Sequence, residues 1–185
     1  MIQHHPILIR KISHLTDARY FAAMGIDWMS IELNADPATF SLWHTLRDWI
    51  SGIQLAADIS DGDEMLYSKV IIDARPDGII ADSLDFVHLT GGMEMFLSSE
   101  EITMAFSQND IKLIAPYRQG ITDITSFLSI PSNAIFLESD WTFNGIDLLK
   151  QKGYKGGFCL KGTPESQTGI KDYSFFDEIL ERINP

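Results

Sequence analysis

Polar side chains close one apolar run after another along this 185-residue chain. Ser13 ends ILIRKIS, Glu32 and Asn34 close the run DWMSIELN, Asp58 ends QLAAD and Asp82 follows GIIA. Ser98 ends MEMFLS, Arg118 ends IKLIAPYR, Glu138 ends AIFLE and Lys161 ends GGFCLK. Charged groups are costly to bury without partners, so a ring of them beyond apolar bodies marks either a wet rim or a ligand site. Carboxylates beside a hydroxyl, an imidazole and several cations can transfer protons and hold an anion. On that chemistry Ser13, His14 and Glu138 are candidate site groups by position. Lys11, Asp58, Asp82, Arg118 and Lys161 are candidate ligand contacts.

Period-two alternation in the first run puts Ile7, Ile9, Lys11 and Ser13 on one face and Leu8, Arg10, Ile12 and His14 on the other. With the first set facing inward, Lys11 lies one layer beneath the Ser13 hydroxyl. Lys11 then either balances Glu32, Asp58 or Asp82 as a structural ion pair or holds an anionic substrate. His14 faces away from Ser13 if the strand continues, so the adjacent pair is not in itself a nucleophile and its base. No G-x-S-x-G elbow occurs, which leaves hydrolase chemistry of that type without support.

Near the other end, Lys161-Gly162-Thr163 opens a Gly-, Ser- and Thr-rich stretch running to Asp172. Backbone N–H groups of such a loop, together with a helix N-terminus, suit a phosphate. An ordinary surface loop is the competing reading. Asp172 is expected to cap the last helix rather than to react.

The elements that must position these groups alternate. Strands are expected at 7–13, 27–33, 53–60, 77–83, 93–98, 111–118, 134–139 and 156–161. Helices are expected at 17–24, 37–51, 62–74, 99–108, 121–129, 144–152 and 173–183, with 84–91 a weak helix or a loop. Thr16 and Asp36 are candidate N-caps, Pro37 stands at a first helical position, and Gly25, Gly52 and Gly153 stand where helices end. Eight strands separated by connections give a compact (β/α)8 barrel in one domain, trimmed relative to the ~250 residues typical of that fold. An open doubly wound sheet is the alternative.

A formal net charge of −12 disfavours nucleic acid and anionic membrane as partners. It leaves room for a small cationic pocket and an anionic metabolite. Cys159 is the single cysteine, which excludes an internal disulfide and fits a reducing cytoplasm. The start lacks the pattern of a secretory signal, and no apolar run is long enough to span a bilayer. His4-His5 has no third ligand nearby for a metal. Phe40, Trp43 and Trp49 either pack in the core or line a dimer contact, so monomer and homodimer both stand.

Two segments carry a resemblance. KISHLTDARYFAAMGIDWMSIEL resembles the N-terminus of the phosphoribosylanthranilate isomerase family, which reads K-I-C-G-I-T followed by an Ala-rich helix and a glycine. KGTPESQTGIKDYSFFDEILERI is similar to the closing segment and last helix of that family. The resemblance implies a (β/α)8 barrel that isomerises a phosphorylated sugar-amine in tryptophan biosynthesis, an Amadori rearrangement needing no metal or organic cofactor. A general acid opens the furanose ring and a general base removes the sugar C2 proton. The family's base cysteine falls on Ser13 and the following glycine on His14. The acid falls on Glu138 if AIFLES matches the family's L-L-D-S, or on Pro116-Tyr117-Arg118 if strands are counted in order. Lys161, Gly162 and Thr163 would seat the phosphate. An alcohol needs a stronger neighbouring base than a thiol does. The resemblance therefore also admits a paralogue that binds a phosphorylated sugar without turning it over. A third possibility is a different isomerase or a lyase using Lys161 as an amine nucleophile.

Overall fold

Eight parallel strands close on themselves in sequence order. In the computed structural model, which describes residues 4–59, 62–85, 87–99, 111–162 and 172–185, they are β1 (Ile7–Arg10), β2 (Trp28–Glu32), β3 (Gln54–Ile59) and β4 (Gly78–Ala81), then β5 (Glu94–Ser98), β6 (Ile111–Pro116), β7 (Ile135–Glu138) and β8 (Gly157–Lys161). The last strand returns to the first, pairing Ile7 with Phe158 and Arg10 with Lys161. Helices α1 (Leu15–Ala23), α2 (Pro37–Trp49), α3 (Glu64–Lys69), α4 (Thr125–Leu128), α5 (Phe143–Gln151) and α6 (Ser174–Ile183) follow strands 1, 2, 3, 6, 7 and 8. The (β/α)8 expectation holds, and the open sheet does not.

Alternation along the strands divides the interior in two. Leu8, Trp28, Ala56, Ile80, Phe96, Ile114, Phe136 and Cys159, one from each strand, form a separate cluster in the lumen. Their neighbours Ile7, Ile9, Met29, Ile31, Leu55, Ala57 and Ile79 join the larger core beneath the helices. At the N-terminal end, Lys112 pairs with Glu94 at 2.8 Å and lies 5.4 Å from the Trp28 and Phe96 ring centroids. That cation–aromatic contact closes the lumen floor. Tight packing continues upward: a Cβ on Gly157 would stand 2.5 Å from the Phe136 ring.

The helices dock by their apolar stripes. In α2 the Asp36 side chain accepts from the Ala38 N–H at 2.9 Å with Pro37 in the first turn, as expected. Phe40, Trp43 and Leu46 face inward, and the Trp43 indole N–H donates to the Ala74 carbonyl at 2.9 Å. Phe40 and Trp43 are thus core residues, whereas Trp49 is exposed and stacks under Arg19 at 4.8 Å. In α6 Phe176, Ile179, Leu180 and Ile183 are buried, and Asp172 accepts from the Ser174 N–H at 2.9 Å just before the helix. Gly25 and Gly153, at φ 68° and 83°, end α1 and α5 where a Cβ would be strained.

Several boundaries differ from expectation. The first strand stops at Arg10 rather than Ser13, because Lys11 turns into the left-handed region at φ 58°. The turn is held by the Lys11 N–H on Ser30 Oγ at 3.1 Å and the Ile12 N–H on the Ser30 carbonyl at 2.8 Å. Helix α1 starts at Leu15 after His14 without a side-chain cap, so Thr16 is not the cap. The 62–74 helix runs as α3 and then a π-turn over Val70–Ala74. The 121–129 helix shortens to α4, and 84–91 holds a 3₁₀ turn at Val87–Leu89. The helix expected at 99–108 falls almost wholly outside the described residues. Among the described residues no helix is long and apolar enough to cross a membrane.

Candidate functional site at the barrel mouth

The C-terminal ends of the strands gather around one buried guanidinium. Arg10, at the top of β1 and 6% exposed, projects into the lumen directly above Leu8. Its Nε donates to Asp58 Oδ2 at 2.9 Å and its Nη2 to Asp58 Oδ1 at 3.1 Å, a bidentate pair across to β3. Its Nη1 donates to Ser98 Oγ at 3.1 Å and to Glu138 Oε2 at 2.8 Å. Three strands are tied to β1 by one side chain. Ser30 Oγ adds a long contact to Asp58 at 3.4 Å.

Lys161 sits above this layer. Its Nζ lies 3.0 Å from Glu138 Oε1, with the lysine side chain 60% exposed and that of Glu138 17% exposed. The two carboxylate oxygens therefore differ. Oε2 is turned inward to Arg10 and lies 3.6 Å from the Cys159 sulfur, while Oε1 meets a cation that reaches solvent. Burial alone would raise the Glu138 carboxyl, but Arg10 and Lys161 together more than offset it, so it titrates below the ordinary glutamate range. Burial raises the Asp58 carboxyl, and Arg10 pulls it back only in part. Arg10 is itself raised: burial opposes its charge, but the Asp58 and Glu138 carboxylates outweigh burial. Burial pushes the Cys159 thiol far up, and the neighbouring Glu138 charge adds to that. Cys159 is a neutral lumen side chain, as its position two residues inside the rim suggests.

The inward face of β1 carries Leu8 and Arg10, not the set with Lys11 and Ser13. Ile7 and Ile9 face the helices, and Lys11 has already left the strand. Ser13 is exposed on the link to α1, and His14 is half-buried beside it. Neither belongs to the Arg10 layer. Lys11 pairs with Glu32 at 3.0 Å on the surface of the mouth, a structural ion pair. Asp58 is consumed by Arg10. Asp82 and Arg118 lie just past the ends of β4 and β6 and are both exposed. Gly162 follows β8 and donates its N–H to the Arg10 carbonyl at 2.9 Å, while Thr163 lies outside the described residues. Glu138 ends the seventh strand. The sixth ends at Pro116, and Tyr117 after it is buried and stacked on Trp141 at 5.6 Å. Lys161 is exposed and ion-paired, not in the desolvated setting a nucleophilic amine requires.

Arg10 is the residue sequence reasoning missed. The signal was the charge count at one depth: Asp58, Ser98 and Glu138 all close strands and need a shared cation. Alternation points to Lys11, one position further on, as a partner for Glu32, Asp58 or Asp82.

No protein-family model matches the sequence, and no curated protein does. Solved structures do. Monomeric phosphoribosylanthranilate isomerase from Thermotoga maritima superposes with a TM-score of 0.73 at 8% identity, over 97% of this chain and 98% of that one. The Thermus thermophilus enzyme gives 0.73 at 11% identity, over 96% and 98%. A phosphoribosyl anthranilate isomerase solved in complex with reduced 1-(o-carboxyphenylamino)-1-deoxyribulose 5-phosphate gives 0.74 at 8% identity, over 97% and 98%. At such identities the likeness is one of fold, and the chain has the (β/α)8 fold of the phosphoribosylanthranilate isomerase structures.

Proposed function

We propose that the chain takes a small phosphorylated sugar-amine at its C-terminal mouth and isomerises it by acid–base proton transfer, the Amadori rearrangement of the phosphoribosylanthranilate isomerase type. The observation that carries this reading is the Glu138 carboxylate, held at the strand ends between buried Arg10 and solvent-reaching Lys161. Aldose–ketose rearrangement needs a group that takes the C2 proton and one that gives a proton to the ring oxygen. Glu138 suits the acceptor rather than the acid that the resemblance implies, because Arg10 and Lys161 favour its ionised form. The Lys161 ammonium beside it supplies positive charge toward the phosphate or the ring oxygen. Ser13 and His14, on the link leaving β1, are the candidates for the second proton transfer.

One observation favours a second reading, binding without turnover. Ser13 stands where the family keeps its cysteine and lies outside the strand in an exposed link. A single experiment separates the two. The purified chain is incubated with N-(5′-phosphoribosyl)anthranilate, product is followed by chromatography, and binding of the reduced product analogue is measured by calorimetry. Turnover supports the isomerase, binding without turnover supports the paralogue, and the absence of both turnover and binding removes both.

A further inference from the structure

We propose that Arg10 is a positioning residue, which anchors on Asp58 and fixes Glu138 so that Oε1 is the oxygen offered to ligand, while taking no part in ligand binding itself. The inference deepens the reading of Glu138 above and rests on it for the word ligand. The geometry that carries it is the direction of the N–H groups. An arginine has five, and four donate to Asp58, Ser98 and Glu138. At 6% exposure the guanidinium is covered from the mouth. A phosphate arriving there meets Lys161 first.

The fork geometry matters as much as the charge. Glu138 Oε2 takes the Arg10 Nη1, which its bidentate partner Asp58 holds in plane. Asp58 in turn accepts from Ser30 Oγ, whose lone pair also takes the Lys11 N–H at the left-handed turn. The chain of contacts thus runs from the backbone turn at the end of β1 to the carboxylate on β7. Among the described residues, the titratable and charged groups facing Glu138 are Arg10 on β1 and Cys159 and Lys161 on β8, with Asp58 on β3 linked through Arg10. The neighbouring β6 ends in Pro116, which brings none.

A lysine at this position carries the charge but cannot hold three acceptors in a plane. The test is Arg10→Lys beside the wild type, with Glu138 titrated directly by carboxyl-carbon NMR on the intact chain. The expected result is a Glu138 titration that moves up toward the ordinary carboxylate range. Where the isomerase assay succeeds, kcat falls about a hundredfold from misplacement while KM stays within about twofold. An unchanged Glu138 titration overturns the proposal, as does a KM rise with kcat kept. Should Arg10→Lys fail to fold, Asp58→Asn serves. It frees Arg10 from its bidentate partner, and Glu138 must then shift, whereas an unshifted Glu138 overturns the proposal equally. The NMR readout does not need turnover. Loss of the isomerase reading leaves it standing, and its own failure is visible on an active enzyme.

Discussion

Arg10 and Glu138 meet at 2.8 Å although 128 residues and one intervening strand separate them. The contact crosses the lumen in front of β8, whose inward side chains at that depth are Cys159 below and Lys161 above. A cysteine leaves the room that a larger side chain would fill. The small Cys159, the long Arg10 and the mid-length Glu138 are thus one packing solution, in which a buried cation serves two carboxylates and a hydroxyl.

Removing the cation should be costly. Arg10→Met keeps the bulk but leaves Asp58, 1% exposed, as a buried carboxylate without its ion-pair partner. Loss of one partner of a buried pair costs about 3–5 kcal/mol. Chemical denaturation should show that loss with an unchanged slope. The double variant Arg10→Met, Asp58→Asn should recover a good part of it. A double variant as unstable as the single one would show that the two charges are not coupled.

At the mouth the expected behaviour is the opposite. Lys161→Met removes an exposed cation whose pairing with Glu138 is solvent-screened, so stability should change by no more than about 1 kcal/mol. Binding of a phosphorylated ligand, read by thermal shift or calorimetry, should weaken about tenfold or more. The wild-type affinity should fall as salt is raised. Equal ligand affinity in the variant would remove Lys161 from the anion seat.

The rhythm of apolar runs and helical stripes made the barrel legible, since the runs had strand length and several gaps carried helix signals such as the Asp36-Pro37 start of α2. The phase of β1 was not legible. Ile7, Leu8 and Ile9 are all apolar because a parallel barrel buries both faces of its strands. Nothing local says which of them meets the lumen, and the partners that decide it, Trp28 and Cys159, are distant in sequence. Extending the alternation through Lys11 then failed at a left-handed residue, which no glycine or asparagine announced. For the site, Glu138 and Lys161 were readable as strand ends. Their meeting was not, because it depends on the β7–β8 register that pairs Glu138 with Cys159.

Packing in the lumen offers a separate check. Gly157→Ala would place a methyl 2.5 Å from the Phe136 ring and 2.9 Å from the Pro6 carbonyl. Overpacking of this kind costs about 1–3 kcal/mol. Thermal denaturation should record it as a drop in Tm, and the paired variant Gly157→Ala, Phe136→Leu should restore part of the loss. A neutral single variant would mean that β8 shifts freely, against the closed register described for it.

The ends of the chain carry a pH dependence far from the mouth. His5 is buried against Tyr154 and Phe158, with ring centroids 6.4 and 5.4 Å away. Its Nδ1 lies 2.9 Å from the Gly156 carbonyl and so carries the proton, while its backbone exchanges hydrogen bonds with the Asn184 side chain at 2.8 and 2.9 Å. Burial lowers the His5 pKa from 6.5, the Gly156 bond opposing and the nearby Lys150 and His4 adding to the fall. A group lowered in the fold binds its proton more readily in the unfolded chain. Stability attributable to His5 is therefore complete above about 6.5 and is lost as the pH falls through that value toward the folded pKa. Unfolding free energy measured between pH 8 and about 5 should decline over that window. In His5→Gln, which keeps a donor for Gly156 but cannot titrate, the part of the slope due to His5 should vanish. The same slope in both proteins would assign the acid sensitivity to other groups and leave the His5–Asn184 clasp a purely uncharged one.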